Sequence, residues 1–453
     1  MNKILDYIVV GAGPSGLTFA YQALKNNKTV VILEKDSRAG GLAKSYNYKG
    51  NIFDTGPKRF HTDDQVVKDF LEEIMSMDVI GRSTKVFFLD KYFDWPINLK
   101  SVLKLPLGTA LKSLYDLINK KNYQDLSKFE NYIKSKYGKN LYDIFFKPYT
   151  EKFLNWPVED IHSDWASTGI NRTVIDKKVQ ANSIVDILKS LALPEKIDTK
   201  FLYPPKNGFG AFFDKLFSLV DSKKDSKTFF NVNINRIIKH QNYLEIFFND
   251  QILKTKKIIW TGNLNFLAKI INNSFESSLR YINTMFFNIV AQENGVMNNR
   301  SQWIYVSDKK NIISRITCMK EFSKNTCNDG TYNFIVEVTD SQKNPSNFNK
   351  EIEIENKIVS ELENMRFIKK RNNIENIYLN KIVDTYPIYH SQYKKSFNDV
   401  TKLVREFSRD IHLLGRTGAY WYNNSDHSIR MSIEMCNYLE KKSGKEFNFR
   451  EYF

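Results

Sequence analysis

Cysteine is scarce in this chain. Cys318, Cys327 and Cys436 are its whole complement among 453 residues. They form no CxxC pair and no even framework, which excludes a disulfide scaffold and predicts free thiols in a reducing compartment. The six histidines show no HxxxH or HExxH spacing, so no metal site is expected. No run approaches the roughly 18 apolar residues of a membrane span. The first strand pattern begins about seven residues in, leaving no room for a signal peptide. These absences predict a cytoplasmic protein and leave peripheral membrane contact open. Internal repeats and low-complexity linkers are missing too, so the two or three domains that the length suggests must be interleaved.

Negative charge is in deficit. Against 67 Lys and Arg stand 51 Asp and Glu, for a net charge of +16. That excess attracts anions: a phosphorylated small molecule, a nucleic acid or an acidic membrane. A composition rich in Lys, Asn and Ile would produce it as well. No long basic run and no nucleic-acid-binding motif accompany it, so the expected partner is a small anionic substrate, not a nucleic acid.

What is present is concentrated between Tyr7 and Gly41. An apolar strand from Tyr7 to Val10 runs into Gly11-Ala-Gly13-Pro14-Ser15-Gly16, then an apolar helical pattern through Leu17, Ala20 and Leu24. A second strand, Thr29 to Leu33, ends at Glu34 and Lys35. In a dinucleotide fold, Gly11 makes the tight turn, Gly13 lets backbone approach a pyrophosphate, and Gly16 allows the helix to close on the strand. The pyrophosphate is then met by free N–H groups at the positive end of the helix dipole. Glu34 is placed to accept from an adenosine ribose hydroxyl and would repel a 2′-phosphate, which argues against NADP.

The periodicities predict an α/β protein whose Rossmann-like nucleotide domain is discontinuous, made of residues 1–62, 201–265 and 384–453. Residues 63–200 read as a mostly helical insertion, as in VVKDFLEEIM and FENYIKSKYGKNLYDIFF. Residues 266–383 read as a second, mixed or antiparallel sheet forming a substrate domain, with the segments SQWIYVSD, NIISRITCM and YNFIVEVTD alternating in character. The tail closes with a strand at Ile411–Leu414 and a helix carrying Ile429, Ile433, Cys436 and Leu439 on one face.

A second glycine pair, Arg38-Ala-Gly40-Gly41-Leu42, is followed by Phe53-Asp54-Thr-Gly56-Pro57. Farther on come Phe146-Lys-Pro148-Tyr149-Thr-Glu151 with Trp156-Pro157, then Tyr386-Pro387-Ile-Tyr389, and Leu414-Gly415-Arg416-Thr-Gly418 with Tyr422-Asn423-Asn424-Ser-Asp426-His427. Together these resemble the FAD-dependent flavoproteins that include protoporphyrinogen oxidases, amine oxidases and UDP-galactopyranose mutases, the mutase-like branch above all. The resemblance is collinear over essentially the whole chain. It implies non-covalent FAD, with Gly40, Gly41, Leu42, Gly56 and Pro57 near the cofactor and the backbone of Ile234 beside adenine. It also implies Gly415 and Arg416 beside the flavin, and a helix starting near Asp426–His427, with Asn424 before it, aimed at the pyrimidine edge.

The chain departs from that pattern at Lys58. Gly56-Pro57-Lys58 stands where mutases and many relatives have a histidine as the third residue, unless His61 of Arg59-Phe60-His61 takes that place. The strand Tyr281-Ile-Asn-Thr-Met-Phe-Phe offers no lysine of the kind amine oxidases carry, which disfavours amine oxidation. The expected activity is an FAD-dependent oxidoreductase acting on an anionic, partly apolar substrate. The alternatives are a flavin-dependent isomerase of a nucleotide-linked sugar, acting in surface polysaccharide biosynthesis, and an FAD-binding protein with a structural role. Candidate catalytic residues are Lys58, Arg59, His61 and Arg416. Candidate substrate contacts are Tyr149, Trp156, Arg315, Tyr386, Tyr389 and Tyr422, of which Tyr149, Trp156 and Tyr389 could equally be core aromatics. Arg315, on a strand, should be exposed at an edge or face an anionic ligand.

Overall fold

A computed structural model describes residues 3–95, 105–119, 121–167, 200–297, 301–341 and 349–441. Residues 168–199 of the stretch read as helical lie outside the described residues. Two seven-stranded sheets organise the chain. The first opens with β1 (Leu5–Val10), crosses over through helix α1 (Pro14–Lys25) and continues with β2 (Val30–Leu33), which pairs parallel to β1. All four residues of β2 and the last four of β1 are buried, the pattern of a parallel strand covered on both faces. Two short antiparallel pairs flank the sheets: β3 (Tyr46–Tyr48) with β4 (Asn51–Phe53), and β5 (Asp78–Gly81) with a strand at Lys200–Tyr203.

The stretch read as mostly helical, 63–200, contains α2 (Gln65–Ile74), α3 (Leu107–Ile118), α4 (Phe129–Tyr137) and α5 (Lys147–Leu154). It also contributes β6 (Thr84–Phe88) and β7 (Lys91–Asp94) to the second sheet. These two strands form a hairpin through Leu89 and Asp90, both with positive φ, whose N–H groups donate to the Asp308 carboxylate at 2.9 and 3.2 Å. A left-handed leucine is no turn signal in a sequence, and its stabilising carboxylate lies far along the chain.

After β8 (Lys200–Tyr203) and helix α6 (Gly210–Asp221), the first sheet resumes with β9 (Ser226–Phe229), β10 (Ile234–Lys239), β11 (Leu244–Phe248) and β12 (Gln251–Trp260). The ten residues of β12 do double duty. Their first half pairs antiparallel with β11, and Thr255–Trp260 pairs parallel with β1. Helix α7 (Leu264–Ile271) leads to the second sheet, built on β13 (Arg280–Gln292), β14 (Trp303–Val306), β15 (Arg315–Cys318) and β16 (Thr331–Ser341). Helix α8 (Glu351–Asn364) precedes β17 (Ile374–Ile388), and the order across that sheet is β17-β13-β16-β15-β14-β6-β7. Helix α9 (Tyr393–Phe407) then brings the chain back to the first sheet, where β18 (Ile411–Leu413) pairs parallel with the end of β12. The last described helix, α10 (Ser425–Leu439), buries Ile429, Ile433 and Cys436 in the cluster that also holds Leu17, Ala20 and Leu24 of α1.

Candidate functional site

The carboxyl ends of β1, β2 and β12 open at one edge of the first sheet, where a doubly wound fold binds its ligand. A cavity of about 1170 Å³ lies there, walled on its other side by Lys381–Asp384 of β17. Gly13 caps α1 and Pro14 occupies its first turn, where the missing N–H leaves no bond unmade. Two glycines show why the loop takes no other residue. A Cβ on Gly16 would stand 1.9 Å from the Gly11 carbonyl oxygen, so this glycine sets how closely α1 approaches the sheet. A Cβ on Gly13 would meet nothing nearer than the Gly41 Cα at 3.8 Å; what the bare backbone leaves is open cavity. Glu34 is held by two backbone donors, Ala12 N–H on one oxygen and Asp36 N–H on the other, which aims the carboxylate while leaving lone pairs for a ribose hydroxyl.

Of the residues expected to hold the cofactor, the cavity is lined by Gly11, Gly13, Pro14 and Ser15, by Glu34 and Lys35, by Gly41 and Leu42, and by Ile234, Gly415, Arg416 and Asn424. Gly16, Gly40, Gly56, Pro57, Asp426 and His427 stand behind this lining. Asn424 caps α10, and Ser425 and Ser428 of its first turn also face the cavity, so the positive end of that dipole points inward. Sequence reading missed Thr261–Asn263, Asn423, and Asn231–Asn233 with the β17 wall. Thr261 was within reach: once KKIIWTG is paired parallel to β1, its end must lie beside Gly11. The donors, the capped helix and the Glu34 carboxylate fit FAD.

At the flavin-facing end, Lys58 lines the cavity. Its segment is anchored by the buried Asp54, which accepts from Ser45 Oγ, Tyr203 OH at 2.8 Å and Phe209 N–H at 3.0 Å; burial raises this carboxyl to a pKa of about 6. Burial, then the nearby Arg416 and Arg315 guanidiniums, push the Lys58 ammonium down to about 7. Arg416 donates to the Asn423 carbonyl at 2.6 and 3.2 Å and to the Thr385 carbonyl at 3.0 Å. It stacks over the Tyr386 and Tyr422 rings at 4.7 and 5.4 Å. Carbonyls orient the guanidinium without cancelling its charge.

Other expectations are corrected. Arg315 is neither at an edge nor facing a ligand: β15 is an interior strand, and the guanidinium is buried in a bidentate pair with Glu337 at 2.8 and 2.6 Å, its Nη2 also reaching Tyr386 OH at 3.3 Å. The partner carboxylate is supplied from the neighbouring strand β16, so no ligand is needed to hold that charge. Trp156 and Tyr389 are core side chains. Trp156 Nε1 donates to Asp160 at 2.9 Å, and the Tyr389 hydroxyl accepts from Tyr422 N–H at 2.8 Å. His61 is exposed and, like Arg59, stands outside the cavity lining. Arg59 instead donates to the Pro57 carbonyl at 2.8 Å and lies over the Trp303 and Phe201 rings at 4.6 and 5.2 Å. Tyr149 meets the Tyr305 ring edge-on at 6.0 Å, and Tyr386 meets Tyr422 at 5.0 Å. These tyrosines surround the Arg315–Glu337 pair, since Tyr149, Tyr305, Tyr386 and Tyr422 all sense one or both of its charges or that of Arg416.

Residues 9–74 match the family described as an NAD(P)-binding Rossmann-like domain. Over 447 residues the chain is 23% identical to a UDP-galactopyranose mutase of Mycoplasma genitalium, covering 96% of this chain and 94% of that protein. A shorter match, 30% over 163 residues, covers 34% of this chain and 41% of a probable UDP-galactopyranose mutase of Klebsiella pneumoniae. Among solved structures, a reduced UDP-galactopyranose mutase superposes with a TM-score of 0.83 at 18% identity, over 98% of this chain and 95% of that one. A protein described as a protoporphyrinogen oxidase from Exiguobacterium superposes at 0.76 with 12% identity, over 97% of this chain and all of that one. Among the described residues, no helix is long and apolar enough to cross a membrane.

Proposed function

Because the chain belongs to the FAD-dependent oxidoreductase superfamily, on its mutase-like branch, we propose that it is a flavin-dependent isomerase acting on a nucleotide-linked sugar. Bound FAD supplies the electron-transfer and nucleophilic chemistry of its isoalloxazine. The protein's part is to bind and orient an anionic sugar nucleotide. The observation that carries the reading is Arg416: a cation held by carbonyls and aromatic faces, without a carboxylate partner among the described residues, opening on the same cavity as Lys58. A diphosphate supplies the charge this pair lacks, with the Tyr386 and Tyr422 hydroxyls as further donors. The N-terminus of α10 adds a positive potential favourable to a reduced, anionic cofactor. In this reading residues 1–62, 201–265 and 384–453 hold the cofactor, and 266–383 supply the substrate wall.

One observation favours the other reading, net oxidation of an anionic substrate. Lys58 replaces the histidine of the mutase-like pattern, and an amine that titrates near 7 beside the flavin site can take up a proton during substrate oxidation. Anaerobic titration separates the two. Chemically reduced protein mixed with UDP-sugars should bind them, seen as a change in flavin absorbance, and convert them with no reductant consumed per turnover. Arg416→Ala should weaken that binding about ten- to a hundredfold, the worth of a charge-assisted hydrogen bond of roughly 1.5–3 kcal/mol, with flavin content retained. Stoichiometric consumption of an electron acceptor during turnover would establish the oxidase reading instead.

A further inference from the structure

Helix α3 is amphipathic in the wrong direction for a helix that serves only its own fold. Leu107, Leu111, Leu114, Tyr115 and Ile118 fall on one stripe by their three- and four-residue spacing. All five face solvent, from 40% exposed at Leu114 to 75% at Leu107. The side turned to the protein is small and polar. Ser113 is buried and accepts from the Asn140 side chain at 2.9 Å, which also donates to the Thr109 carbonyl at 3.3 Å. Asp116 accepts from Asn140 N–H at 2.6 Å. A helix whose only task was packing would carry its leucines on that inner side.

Charge says what covers the stripe. Between positions 107 and 139 the sequence has seven lysines and three carboxylates. Asp116 points inward, and Glu130 is taken by Lys134. Lys112, on the flank of the stripe, and Lys121, one turn past Ile118, are exposed; among the described residues neither has a carboxylate partner. We propose that the outer face of α3 docks on an anionic lipid surface, the leucines and Tyr115 entering the headgroup boundary while Lys112 and Lys121 meet lipid phosphates. Twelve residues make a helix about 18 Å long, too short to span and suited to lying in the interface. A second copy is disfavoured by the same charges. A two-fold contact sets the same patch against itself and would bring Lys112 and its neighbours against like charge.

The test is co-sedimentation of the flavin-loaded protein with phosphatidylcholine vesicles, with and without phosphatidylglycerol. Binding to the anionic vesicles alone is expected, weakening as salt rises. Leu111→Ser with Tyr115→Ser should lower the partition coefficient at least about tenfold, because apolar burial contributes in proportion to area, with flavin content as the folding control. Lys112→Glu with Lys121→Glu should reduce it as well. The proposal fails if the unsubstituted protein stays in the supernatant, or if the serine variant binds as well as the parent, which would assign binding to net charge elsewhere. It also fails if light scattering finds a dimer that the serine variant converts to monomer, which would assign the stripe to a second copy.

Discussion

Lys58 and Arg315 are both basic residues placed near the flavin end of the cavity, and their surroundings give them opposite fates. Arg315 shares its charge with Glu337 inside the second sheet, whereas Lys58 has two guanidiniums for neighbours and titrates near 7. The sign follows from the lowered value. Lys58 is charged below about 7 and neutral above it, so affinity for an anionic substrate should be full on the acid side and fall as pH rises through 7. Lys58→Gln should bind more weakly and lose that pH dependence; an unchanged profile, followed by flavin absorbance titrations, would remove Lys58 from the binding site. For the buried pair the prediction concerns stability. Glu337→Ala leaves a buried guanidinium uncompensated, which costs about 3–5 kcal/mol, read as a lower denaturation midpoint. Sequence reading saw Arg315 as a charge seeking an anion, and the anion proved to be Glu337 on the adjacent strand, a pairing that only sheet register sets.

Among the elements, α1 is the one most fully legible beforehand. Its glycines, Pro14 and apolar spacing all act locally, and the loop they form is the same whatever the rest of the chain does. Gly13 offers a clean test, because its missing Cβ faces open cavity and not packed atoms. Gly13→Val should therefore fold, with a near-native far-UV circular dichroism spectrum, and yet purify without FAD. Normal flavin content would show that the pyrophosphate does not lie against this loop. The hairpin of β6 and β7 is the contrary case. Its strands lie within a stretch of helical periodicity, and what holds its turn is a carboxylate more than two hundred positions away. Helix α3 illustrates a third case: its stripe was readable as a helix, but which side of it faces the protein was decided by Asn140.

Across the whole molecule, the cofactor site depends on a chain that leaves the first sheet and returns. Strand β18 adds to β12 only after the second sheet and α9 are complete, and Gly415, Arg416 and the start of α10 reach the cavity by that route. Deleting residues 408–453 should therefore abolish flavin binding and expose the α1 face that α10 covers, giving an insoluble or aggregating product. A soluble, yellow truncation product would mean that the sheet closes without its final strand.

By itself the sequence determined the nucleotide fold, the cofactor class and the return of the tail to the first sheet. Those conclusions rest on short-range patterns: glycines at fixed spacing, an acidic residue at a strand end, apolar periods of two and 3.6. Only the tertiary structure decided that Arg315 is neutralised, that Trp156 and Tyr389 are core, and that Lys58 rather than His61 faces the cavity. Each of these depends on which residue, distant in sequence, supplies the opposing charge or surface, and burial and pairing are properties of the packed chain.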